Sequence, residues 1–191
     1  MNFFILTSEG KVITRPDSTR NKDNGDYFIP TDVDWLGYAP VIFARMIKTG
    51  KMIGREFAER YYDAIAFGIL LYPALTVKNG QPHYCKATCG CFDKTSLMPL
   101  PMYNPVTLDK VDNVFSFKGG GDMLFNCDMR GMKDKVADAI VACSLHSTIH
   151  KGDLVLAELA EISTLRTRNE GDLHVAAAFC NNEIIDIDLK F

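Results

Sequence analysis

The sequence predicts a β-rich α+β domain, and three observations predict it. Six short apolar runs rich in β-branched and aromatic residues lie at 3–6, 41–47, 114–117, 154–162, 173–179 and 184–189, each bounded by Gly, Asp or Asn, and read as strands. Only two segments carry a helical period. The 191 residues, 47% of them hydrophobic, suffice for one sizeable core, so the whole chain, 1–191, reads as a single domain.

Taken in order, the opening MNFFILTSEGK reads as a first strand, because it has neither the basic start nor the small-residue cleavage site of a signal peptide. Ile53, Phe57, Tyr61, Ala64, Ile65, Gly68 and Leu71 recur at helical spacing and predict a long helix, on which Tyr61 and Tyr62 would be packing residues. Pro73 and the stretch LMPLPMYNP at 97–105 mark irregular connections. Gly119-Gly120-Gly121 and then Asp122, a favoured N-cap type, predict a second helix continuing through Met132, Val136, Ala139, Ile140 and Cys143. Glycines ahead of a helix can also serve anion binding, but no Lys-Ser/Thr follows, and a flexible turn is the plainer reading. Turns at HKGD, NEGD and NNE set off the last three strands, which predict a C-terminal run of adjacent strands.

Charge excludes several functions. With 21 basic and 24 acidic residues the net charge is −3, which offers no nucleic-acid footprint. Lys48, Lys51, Arg55 and Arg60 interleave with Glu56, Glu59 and Asp63, the pattern of a solvated face. No apolar stretch approaches the ~20 residues that span a bilayer. A cytoplasmic protein with its six cysteines reduced is expected.

His83, Cys85, Cys89 and Cys91 form an H-x-C-x₃-C-x-C cluster that offers the four ligand types of a zinc site. The C-x-C spacing is tight and no second knuckle supports it, so buried or half-buried thiols are the plainer reading. His146, His150 and His174 are isolated in sequence and read as structural or exposed.

Longer motifs carry a resemblance. Pro16-Asp17-Ser18, the YFIP at 27–30, LGYAPVIFARM at 36–46, CKATCGCFDK from Cys85, GDMLF at 121–125, IHKGDLVL at 149–156 and the closing EGDLHVAAAFCNNEIIDIDLKF follow one another in order. Together they resemble the fumarylacetoacetate hydrolase family of metal-dependent hydrolases, decarboxylases and isomerases, over most of the chain. That resemblance implies a mixed-sheet β-roll or sandwich with two main helical segments and a homodimer. It also implies acylpyruvate-type keto-acid substrates and a Mg²⁺ or Mn²⁺ ion that chelates the substrate and stabilises an enolate.

The same resemblance locates what is missing. The family's His-x-Glu-x-Glu strand falls on Gly37, Ala39 and Val41, and its third carboxylate ligand falls on Leu70. A Mg²⁺-type site needs several oxygen ligands, and these side chains have none. With Pro16 so near the first residue, the resemblance leads us to expect no counterpart of the family's NY…H catalytic loop. The TGTPxGV substrate loop is replaced by AELAEISTL. Lys86 alone matches a family active-site residue. Trp35, just before the emptied strand, is expected to fill space nearby.

The expectation is therefore a catalytically impaired member with no metal cofactor. It would act by binding or regulation, paired with itself or with an intact paralogue, and with neither nucleic acid nor membrane as partner. The alternative is an active hydrolase, isomerase or decarboxylase with a relocated site drawing on Asp32, Asp34 or Glu158. A zinc-binding protein using His83, Cys85, Cys89 and Cys91 is the third reading.

Overall fold

The computed structural model describes residues 1–75, 77–78, 81–110 and 113–191. The larger sheet begins with β1 (Asn2–Leu6) and β2 (Val12–Pro16), an antiparallel hairpin. Two-residue strands follow, β3 (Arg20–Asn21) and β4 (Tyr27–Phe28). The centre of the fold is the antiparallel pair β5 (Trp35–Met46) and β6 (Tyr62–Ala74), in register from Trp35 opposite Ala74 to Met46 opposite Tyr62. Short strands β7 (Val77–Lys78) and β8 (Gln81–Pro82) pair with each other. Next come a single turn of helix, α1 (Lys86–Cys89), and β9 (Ser96–Leu97). The hairpin β10 (Val114–Gly119) and β11 (Asp122–Asp128) precedes the one long helix among the described residues, α2 (Lys133–His146). The chain closes with β12 (Leu154–Glu158), β13 (Ser163–Thr167), β14 (Leu173–Phe179) and β15 (Asn182–Lys190).

Strand order in the larger sheet is β2-β1-β12-β5-β6-β9-β3, with β13 also on β5. The smaller sheet runs β11-β10-β14-β15-β4. The larger sheet curls on itself, because Arg15 on β2 at one end donates to the Leu71 carbonyl on β6 (3.0 Å) and to Ser96 on β9 (3.3 Å) near the other. One face of this roll is its interior: Phe3, Ile5, Ala39, Val41, Phe43, Ala66, Leu70, Tyr72, Leu154 and Leu156 alternate inward along four strands. The other face carries Phe4, Tyr38, Ile42, Ile65, Phe67 and Val155 against the smaller sheet and α2. Phe67 stands there 4.4 Å from Phe179 and 5.2 Å from Phe115, ring centre to ring centre. The α+β class and mixed-sheet fold stand as expected.

Two elements differ from expectation. The helix predicted from Ile53 to Leu71 is a 3₁₀ turn at Arg55–Arg60 followed by β6. Every residue of β6 except Asp63 is buried, so the strand reads as an unbroken apolar run, from which a helical spacing can be picked as easily as an alternating one. Tyr62 thus packs on a strand. The helix predicted to open at Asp122 is instead β11. Gly120 and Gly121 have φ of 59° and 94°, and two successive positive φ values make the tight turn that joins β10 to β11. The helix begins eleven residues later at Lys133, where Val136, Ala139, Ile140 and Cys143 supply its buried stripe.

The segment predicted as one strand over 154–162 breaks after Glu158. Both β12 and β13 then lie against successive halves of β5. Only β14 and β15 of the last predicted strands pair with each other; β12 belongs to the larger sheet.

Candidate functional site

The positions that the resemblance assigns to metal ligands meet inside the roll. Ala39 is the register partner of Leu70, and Val41 lies two residues on, opposite Gly68. Alternation sends all three inward, and none has any exposed surface. They pack in one cluster with Phe3, Ile5, Phe43, Met98 and Leu156. Gly37 is roofed: a Cβ built there would meet the Tyr84 ring at 2.8 Å and Ile162 at 2.9 Å. Val41 and Leu70, both fully buried, contribute about 1.5–3 kcal/mol each relative to exposure. A divalent ion would meet no side-chain oxygen from these positions, so this donor set does not fit one.

Beside this apolar patch, on the same interior face, sits a charged cluster. Glu158 ends β12 opposite Val41, with its side chain wholly buried. One carboxylate oxygen accepts from the Tyr72 hydroxyl at 2.5 Å. The other accepts from the Ser8 backbone N–H at 2.8 Å, the Lys86 ammonium at 3.1 Å and the Ser8 hydroxyl at 3.3 Å. Lys86, at the start of α1, is 13% exposed and also reaches Glu9 at 3.4 Å. Burial pushes the Tyr72 phenol well above its usual range; nearby Arg15 opposes the shift, and the Glu158 carboxylate adds to it. The phenol therefore stays protonated and donates. Lys11 first and Lys86 second hold the Glu9 carboxyl below its ordinary value.

Arg15 completes the cluster. Only 1% of it is exposed, its guanidinium lies 4.6 Å from the centre of the Tyr72 ring, and it also donates to the Thr95 hydroxyl at 3.3 Å. Its Nε is buried without a hydrogen-bond partner. No carboxylate stands within ion-pair distance of it among the described residues. Carbonyls, hydroxyls and the face of Tyr72 carry its charge instead.

The sequence named some members of this cluster and missed others. It named Glu158 and Lys86 separately, and the structure brings them into contact. Asp32 and Asp34, offered beside Glu158, are exposed, and Asp34 instead approaches Arg168 at 3.8 Å. Trp35 faces a surface cavity of about 430 Å³ with Asp34, Thr167 and Arg168. Arg15, Tyr72 and Ser8 went unnoticed, although Arg15 adjoins the Pro16-Asp17-Ser18 motif. An arginine directly after the β-branched run Val12-Ile13-Thr14 is the available signal.

The zinc cluster does not assemble. Cys89 is buried and its thiol donates to the Pro73 carbonyl at 2.9 Å, whereas Cys85 and Cys91 are exposed. Burial pushes the Cys89 thiol up to about 11. No group of three or more His, Cys, Asp or Glu residues able to hold a metal comes together among the described residues. Gly119-Gly120-Gly121 forms a hairpin turn rather than a helix N-terminus, so the anion reading has no helix to rest on. His174 is not isolated: it bridges Asp188 at 2.9 Å and Asp186 at 3.1 Å on the exposed face of β14 and β15. Nothing among the described residues forms a helix long and apolar enough to cross a membrane.

No protein-family model matches the chain, and no curated protein does. Solved structures do. A protein from Yersinia pestis CO92 assigned to the fumarylacetoacetate hydrolase family superposes with a TM-score of 0.74 at 15% identity, covering 98% of this chain and 91% of that one. Fumarylpyruvate hydrolase from Pseudomonas aeruginosa, solved with Mn²⁺ and pyruvate, gives 0.74 at 14% identity over 100% and 90%. Maleylpyruvate hydrolase from Sphingobium sp. SYK-6 gives 0.73 at 11% identity over 97% and 69%. The chain thus has the fumarylacetoacetate hydrolase-like fold.

Proposed function

We propose that this protein uses a fumarylacetoacetate hydrolase-like fold for a binding or regulatory role and does not perform metal-assisted chemistry on keto acids. The observation that carries this reading is the patch of Ala39, Val41 and Leu70, buried to the last atom among aliphatic and aromatic neighbours. Moving a carboxylate into such surroundings costs several kcal/mol unless it is fully paired, so the patch is built as core. The reading is tested with purified protein, Mn²⁺ or Mg²⁺, and fumarylpyruvate or a simple acylpyruvate. No turnover above buffer and no stoichiometric metal by elemental analysis are expected. Metal-dependent turnover overturns it.

One observation favours a second reading, an active enzyme with a relocated carboxylate: Glu158 is buried and contacts a lysine and a tyrosine, residue types common in acid–base catalysis. Metal-independent turnover of the same substrates, lost in Glu158→Gln, would select it.

A further inference from the structure

We infer that Ser8, Tyr72 and Lys86 form a binding cradle for a small carboxylate, which the chain keeps closed with the carboxylate of its own Glu158. Four donors from three separate segments converge on this one group: the backbone N–H and hydroxyl of Ser8 beyond β1, the hydroxyl of Tyr72 on β6, and the ammonium of Lys86 on α1. These segments are far apart in sequence, with Ser8 150 residues from Glu158, Tyr72 86 and Lys86 72, so only the tertiary fold assembles the set. Its composition suits an anion with two oxygens: one oxygen takes the phenol, and the other takes the cation and the backbone N–H.

Glu158 is suited to be the occupant. It is the last residue of β12, its side chain has no exposed surface, and Leu159 just after it still donates its backbone N–H to the Pro40 carbonyl of β5 at 2.8 Å. Lys86 remains 13% exposed and Glu9 half-exposed beside it, so the cradle lies close to solvent on that side. Cutting Glu158 back to alanine deletes a group the size of acetate and leaves the four donors in place. Acetate or formate is therefore the ligand class the vacated cradle would take.

This inference rests on the binding reading of the same interior face, and its test is independent of metal and turnover. Native protein, Glu158→Ala and Glu158→Ala/Lys86→Met are melted in sodium acetate and in sodium chloride at equal ionic strength. Acetate should raise the Tm of Glu158→Ala saturably by about 5 °C over chloride, as a ligand bound only by the folded state does. It should leave the native protein and the double variant unchanged. Equal response to acetate and chloride in Glu158→Ala overturns the inference, as does an equal acetate response in the native protein. If Glu158→Ala folds only in acetate, the inference stands. If it folds in neither salt while the isosteric Glu158→Gln folds in both, the cradle cannot be filled from outside and the inference is lost. Failure here leaves the metal-free reading intact, and metal-dependent turnover would overturn that reading without touching the acetate result.

Discussion

Two neighbouring parts of one surface behave in opposite ways. Along the interior face of the roll, Ala39, Val41 and Leu70 make a patch with no polar side-chain atom. Directly beside it, Glu158 opposite Val41, Tyr72 two residues from Leu70, and Arg15 crowd polar and charged groups into space almost as buried, with the less buried Lys86 at the edge. The apolar part is held by area removed from water and tolerates changes of shape better than changes of polarity. The charged part is held by complete satisfaction of Glu158, and it tolerates change of partner badly, since a buried charge left alone is costly. The burial of Glu158, Tyr72 and Arg15 therefore does not tell the two apart. What separates them is whether hydrogen-bond donors converge on the spot.

The sharpest way to break this contrast is to put a carboxylate where none is satisfied. Val41→Glu or Leu70→Asp should cost about 4 kcal/mol or more, because no donor faces the new group. Urea unfolding monitored by circular dichroism would show it, and a loss below about 1 kcal/mol would mean that the patch is not core. Removing the cation from the charged part comes next. Lys86→Met should destabilise by about 3 kcal/mol by stranding Glu158, measured in the same way. Tyr72→Phe deletes one charge-assisted donor and keeps the ring over Arg15, so a loss of about 1–2 kcal/mol is expected. If Lys86→Met and Tyr72→Phe both proved neutral, the distinction between the two regions would collapse.

The smallest effect concerns the thiols. Burial holds Cys89 up at about 11 and Cys143 up at about 12, so each stays protonated as pH rises until those values are approached. In the folded protein at pH 8, iodoacetamide should alkylate the exposed Cys91 and leave Cys89 and Cys143 unmodified until denaturant is added. Peptide mass spectrometry reads the order. Early modification of Cys89 would show that the roll opens at α1.

Much of the fold was legible because its signals are local. The runs at 3–6, 114–117, 173–179 and 184–189 carry β-branched and aromatic residues between turn formers, and all became strands. The misread helix over β6 shows the limit. A strand buried on both faces loses its alternation, and the spacing of Ile53, Phe57 and Tyr61 ahead of it completed a false period. Gly120-Gly121 fits a hairpin turn, but Asp122 just after it also fits an N-cap, and residue type alone does not choose between the two. The site was half legible. Ala39, Val41 and Leu70 are legible through the motifs that resemble the family, whereas the partnership of Lys86 with Glu158, and the roles of Arg15 and Tyr72, depend on contacts that no motif spells out.

By itself, then, the sequence determined the strand-rich α+β class, several of its strands and, through the family resemblance, three positions, Ala39, Val41 and Leu70, that lack side-chain oxygens. The class and the strands follow from residue type and period, which act over a few residues, whereas the three positions follow from the motifs that carry the resemblance. Only the tertiary structure decided that those positions form one sealed patch and that Glu158 has four donors waiting for it. Closing the roll brings together segments as much as 150 residues apart, and hydrogen bonds over less than 3.5 Å depend on that closure rather than on any local preference.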